Sequence, residues 1–141
     1  MATNQAASQY IFLFLLASTL FHLAYADIGT AAVYNPPYLP TACFGTEATQ
    51  FPSSNLFAAA GEAIWDNGAA CGRQYLVRCI SSAVAGSCNP EQIIQVRIVD
   101  RALTSSSRPS SRGATIVLSA IAFGTISNPS ARSVNVEYRQ I

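Results

Sequence analysis

Apolar and polar positions alternate with period two over five stretches, the spacing of a strand buried on one face. Residues 28–34 (IGTAAVY) stop at Asn35-Pro36-Pro37, where proline removes the donors a ladder needs. Residues 73–80 (RQYLVRCI) follow Cys71-Gly72. Residues 92–100 (QIIQVRIVD) put Ile94, Val96, Ile98 and Asp100 on one face, with Gln95 and Arg97 on the other. Residues 114–118 (ATIVL) form a short apolar strand, and residues 133–139 turn Val134, Val136 and Tyr138 inward. Two stretches have helical spacing instead. Over residues 55–65, Leu56, Ala59, Ala60, Ala63 and Ile64 fall on one stripe, with Asp66-Asn67-Gly68 as the stop. A shorter helix is expected over residues 119–126. Residues 104–113 (TSSSRPSSRG) are a polar loop without apolar anchors. So many short strands need protected edges, which predicts one all-β domain closed into a barrel.

The N-terminus has a different pattern. Residues 10–23 (YIFLFLLASTLFHL) are apolar but too short to span a bilayer, and Ala24-Tyr25-Ala26 follows as a small-x-small cleavage site. Residues 1–26 therefore read as a secretory signal peptide and residues 27–141 as a single mature domain. Secretion sets the meaning of Cys43, Cys71, Cys79 and Cys88: an even set in an oxidising compartment forms disulfides. Four cysteines allow three pairings, and spacing alone selects none of them. No C-x-x-C pair offers zinc ligands.

Charge and composition then narrow the chemistry. Eight basic residues, all arginine, against seven acids give a formal charge of +1, too little for a nucleic-acid partner. There is no lysine, and the single histidine, His22, lies in the predicted leader. A mature chain without either residue excludes Ser-His-Asp and Cys-His catalysis, a Schiff-base lysine and a His-ligated metal. No cofactor and no metal are expected. Asn128-Pro129-Ser130 fails as a glycosylation acceptor because of its proline.

The order of the motifs GTAAVY, TACFG, FAAAGEAIWDNGAACGRQYLVRC, IIQVRIVD, TIVLS and NVEYRQI resembles the expansin-like, barwin-like secreted plant proteins. Within them it is similar to the plant natriuretic peptide and blight-associated group, whose domain is related to family 45 endoglucanases. The resemblance implies a six-stranded double-psi β-barrel, the first expansin domain standing alone, with one or two short helices. It implies the pairings Cys43–Cys71 and Cys79–Cys88. It also implies an open groove lined by Thr30, Tyr34 and Asp100. The family's second groove acid would fall in TIVLS, where this chain has Val117.

That valine bears on function. Glycosidases need two carboxyls roughly 5–10 Å apart, one giving a proton and one acting as base or nucleophile. Two readings remain. One is a non-enzymatic apoplastic monomer, either binding cell-wall polysaccharide or signalling to a cell-surface receptor in water and ion homeostasis, stress or defence. The other is a glycan-active or wall-loosening protein that uses Asp100. Asp100 could instead cap a turn or pair with an arginine, Tyr34 could cover the barrel end, and Thr30 could be only a strand former. Trp65 is expected to be a lid on the core, and Arg101, Arg108 and Arg112 form a local basic cluster.

Overall fold

A computed structural model describes residues 26–102 and 113–141; the predicted leader (residue 26 apart) and nearly all of the Ser/Arg loop lie outside the described residues. Six strands close a barrel: β1 Asp27–Tyr34, β2 Phe57–Ala60, β3 Gln74–Ser81, β4 Ile93–Arg101, β5 Ile116–Ser119 and β6 Ser133–Gln140. Their order around the barrel is β1-β5-β2-β4-β3-β6. The β1–β5 and β2–β4 pairs are parallel, and the other four are antiparallel. Among the described residues there are two short α-helices, α1 Glu62–Trp65 and α2 Ala120–Ile126. None of the described helices is long and apolar enough to cross a membrane.

The five strands expected from period two are present within a residue or two of their expected ends. The helix expected over residues 55–65 is not: residues 57–60 are β2, and α1 is a single turn. All four residues of β2 are buried, so its sequence carries no alternation to read. Ala58 and Ala60 face the barrel interior, whereas Phe57 and Ala59 face a second apolar layer outside it. Helical spacing was thus mimicked by a strand covered on both faces. Gly61 ends β2 where the chain passes the β5 approach. Its N–H donates to Thr115 O at 2.9 Å, and a Cβ there would lie 2.1 Å from the Ala114 carbonyl oxygen.

A second correction concerns β4. Ile94, Val96 and Ile98 do point into the barrel, but the register with β2 shifts at Val99: Ala58 opposes Ile98, and Ala59 opposes Asp100. This bulge turns Asp100 out of the barrel interior onto the face shared by Ala59. Val134 and Val136 are buried as expected, and Tyr138 packs half-buried against the same core. Helix α2 is capped by Ser119, whose Oγ accepts from Ala122 N at 3.2 Å, and it closes one barrel end with Phe123 and Ile126. Disulfides join Cys43 to Cys71 and Cys79 to Cys88. The first ties the long β1–β2 connection to the turn before β3.

Candidate functional site

One outer face of the barrel gathers most of the residues singled out by sequence. Cross-strand register places Ala32 of β1 opposite Val117 of β5, Val117 opposite Ala59 of β2, and Ala59 opposite Asp100 of β4. Asp100 and Val117 therefore sit two strands apart in one row, about 10 Å at ordinary strand spacing. Tyr34 belongs to the same layer, two residues beyond Ala32. The bulge at Val99 thus makes this face; without it Asp100 would point into the core.

The face is covered. Tyr34 is 5% exposed, and Asp100 and Val117 are 0% exposed. The connection after β1 contributes much of the cover, through a cluster of edge-to-face and tilted aromatic pairs. Tyr38 lies 4.9 Å from Tyr34 and 4.8 Å from Phe57, and Phe51 lies 4.6 Å from Phe57. Such pairs add to simple area burial. The Tyr38 hydroxyl donates to Tyr34 O at 3.2 Å and accepts from Ala120 N at 3.1 Å, pinning the cluster to α2. Asp100 is held from two sides, its Oδ1 accepting from Ala42 N at 2.9 Å and from Arg101 N at 2.8 Å. The Cys43 N–H donates to Val99 O at 3.2 Å, so this connection is docked on the bulge itself.

Tyr34 has no hydrogen-bond partner for its hydroxyl among the described residues. Burial, first, and the negative charge of Asp100, second, push its pKa well above the ordinary phenol value. It stays protonated at any physiological pH and cannot serve as a base. Thr30 lies apart, half-buried at the other end of the same β1 face. Its N–H donates to Thr115 Oγ1 at 3.0 Å, and its own Oγ1 accepts from Thr115 N at 3.3 Å. It clasps β1 to the start of β5. Trp65 is half-buried against the barrel core, with the Arg101 guanidinium 5.5 Å above its ring.

The other acids are engaged elsewhere or exposed. Glu62 bonds Arg101 at 2.9 Å, Asp66 bonds Arg73 at 2.8 Å, and Glu137 pairs with Arg78. The Arg101 hydrogen bond holds the Glu62 carboxyl below the usual carboxylate range, so Glu62 is no proton donor. Among the described residues no group of three or more metal-ligating side chains comes together. Sequence reasoning passed over Tyr38, Phe44, Phe51 and Phe57. For Tyr38, Phe44 and Phe51 the signal was aromatic density in a proline-rich connection; Phe57 opens β2, the strand that helical spacing concealed.

A closed six-stranded barrel with this strand order is a double-psi barrel of the expansin-like class. Comparison with known proteins gives the family. Residues 57–138 match the family described as lytic transglycolase. The chain is 39% identical over 119 residues to an EG45-like domain containing protein of Citrus jambhiri, covering 83% of each. It is 33% identical to EG45-like domain containing protein 2 of Arabidopsis thaliana over 98% of both chains. The chain belongs to the EG45-like, expansin-like double-psi barrel family. Among solved structures it resembles a Clavibacter michiganensis expansin mutant in complex with cellohexaose (TM-score 0.62, 16% identity), matching over 83% of this chain and 50% of that one. It thus spans half the length of that expansin. A Streptomyces papain inhibitor shares the fold at TM-score 0.54 and 18% identity, over 84% of this chain and 96% of the other.

Proposed function

We propose that this protein is a secreted, non-enzymatic binder of plant cell-wall polysaccharide. The observation that carries the reading is Val117. It stands in the row with Asp100, at the position where the expansin-like resemblance puts a second carboxylate, and it is packed with no exposed surface. Valine neither donates nor accepts a proton. Tyr34 is locked as a neutral phenol beside it, and Glu62 is held ionised by Arg101. An acid that protonates a leaving oxygen must reach it by hydrogen bond, and Asp100 presents no surface to a glycan. Tyr34 and Asp100 support the face from beneath; Thr30 is the one of the three with a half-open surface.

Secretion into the apoplast is supported by the apolar leader and by two disulfides that an oxidising compartment maintains. Polysaccharide as the ligand is supported by the shared fold of the Clavibacter expansin, whose structure contains cellohexaose. The test is incubation of the mature protein with cellulose, xyloglucan and pectin fractions, scoring both retention and sugar release. Retention on at least one fraction without soluble sugar is expected. Sugar release above buffer overturns the non-enzymatic reading, and failure to be retained on any fraction overturns polysaccharide binding.

A further inference from the structure

A groove next to the aromatic cover of the Asp100 face opens beside the outer surface of β3 and β4, with a volume of about 600 Å³. Its donors are Arg97, Gln74 and Gln95. Arg97 is the direct cross-strand partner of Gln74, and Gln95 lies two residues before it on the same strand face. Pro52 and Leu56, from the chain entering β2, supply an apolar wall. Gly72 lines the groove at a φ of +83°, a conformation that leaves the space between Phe44 and Arg97 without a side chain.

Arg97 is the telling residue. It is half-buried, its Nη1 donates to Gln50 O at 3.0 Å, and its guanidinium lies 4.9 Å from the centre of the Phe44 ring. Ring and carbonyl fix its orientation and leave further N–H donors for the groove. Arg73, Arg78 and Arg101 each have a carboxylate, whereas none lies in ion-pair range of Arg97 among the described residues. All seven acids of the chain are within the described residues, so no undescribed Asp or Glu can supply one. A partly desolvated cation without a counter-charge is costly unless a ligand brings one. Beside it, Gln95 Nε2 donates to Gln74 Oε1, which leaves Gln74 Nε2 as a donor and Gln95 Oε1 as an acceptor.

We propose that this groove binds a uronate-bearing polysaccharide, its carboxylate on Arg97, its hydroxyls on Gln74 and Gln95, and a sugar face against Leu56 and Pro52. The inference rests on the polysaccharide reading above and adds both the site and the charge of the ligand. An extended acidic peptide fits less well. β3 and β4 are paired on both sides within a closed barrel, so no strand edge is open for main-chain recognition. Alternating carboxylate and hydroxyl groups on stiff rings suit a recognition surface made of side chains.

The test is calorimetric titration of the mature protein with hexagalacturonate, its methyl ester, cellohexaose and polyglutamate. Binding of hexagalacturonate that weakens with salt and falls about ten-fold or more on methyl esterification is expected. Arg97→Gln removes the cation and should lose about ten-fold or more in affinity. Gln95→Glu places a carboxylate in the groove from an exposed position and should lose as much, with an unchanged melting temperature. That variant keeps the test valid should Arg97→Gln fold poorly. Arg132→Gln, exposed and outside the groove, should bind as the parent does. Equal loss in Arg132→Gln, equal binding of the methyl ester, or polyglutamate binding as tightly as hexagalacturonate would each overturn the proposal. Retention on cellulose with no affinity for hexagalacturonate overturns this site alone, whereas no retention on any wall fraction overturns the general reading as well.

Discussion

At the residue scale, Tyr34 and Val117 exchange the roles suggested by their chemistry. A tyrosine in a groove invites the idea of stacking on a sugar, yet here its ring is packed and its hydroxyl is buried without a partner among the described residues. An unmade buried hydrogen bond costs about 1–3 kcal/mol. Tyr34→Phe removes the hydroxyl and keeps the ring, so denaturant unfolding should show equal stability or a gain of about 1 kcal/mol. Tyr34→Ala should instead lose about 3–5 kcal/mol through the cavity it leaves. The alkaline limb gives an independent check. The folded-state pKa of Tyr34 is raised, so its contribution is intact below the unfolded value near 10 and is lost as pH rises above that value. Tyr34→Phe should resist that loss. Val117→Asp puts a second carboxylate in the Asp100 row, at a position with no exposed surface and in line with a carboxylate already there. It should cost about 3 kcal/mol or more and release no sugar from wall fractions.

Elements explain why the face exists. β2 is four residues long, three of them alanine, because it runs between the barrel interior and the outer aromatic layer. Small side chains let both layers approach; larger ones would force them apart. The same crowding governs the residue that ends it. Gly61→Ala drives a methyl group to within 2.1 Å of a backbone oxygen that cannot swing away, so it should lower stability by about 2 kcal/mol or more in thermal unfolding. A Gly68→Ala control sits in open surroundings, where a Cβ meets only the Trp65 ring at 3.8 Å. Its cost comes from its positive φ alone and should be near 1 kcal/mol. The bulge of β4 is the other decisive element. One extra residue at Val99 carries the outward face past Ile98 to Asp100. Deleting Val99 should leave Asp100 outward opposite Ala59 but remove a fully buried side chain and the carbonyl that accepts from Cys43 N–H, costing about 2–4 kcal/mol in denaturant unfolding.

At the scale of the whole molecule, the barrel has no open edge and the bridges hold its connections. Cys43–Cys71 spans 28 residues and Cys79–Cys88 spans 9. Loop-closure entropy assigns about 3.6 kcal/mol to the longer bridge and about 2.6 kcal/mol to the shorter. Removing them singly as Cys→Ala pairs should give unfolding free energies that differ by about 1 kcal/mol, with the Cys43/Cys71 variant the weaker. That variant should also loosen the Ala42 and Cys43 N–H bonds to Asp100 and Val99, which amide exchange would register.

Much of this molecule was legible in one dimension. Strands with polar or mixed outer positions announce themselves by period two, as residues 28–34, 73–80, 92–100 and 133–139 did; residues 114–118, buried on both faces, showed as a short run of β-branched and apolar residues instead. The lack of proton chemistry at Val117 was also readable, since a valine neither donates nor accepts a proton whatever surrounds it. Three things needed the tertiary structure. β2 looked helical because burial on both faces erases alternation. Asp100 looked inward because a bulge adds a residue to the count without leaving a mark in the sequence. Arg97 looked like one more outward strand residue, since its missing counter-charge is a property of which carboxylates lie within a few ångströms. Periodicity is local and survives translation into sequence; register shifts and charge balance are relations between distant segments, and only the folded chain sets them.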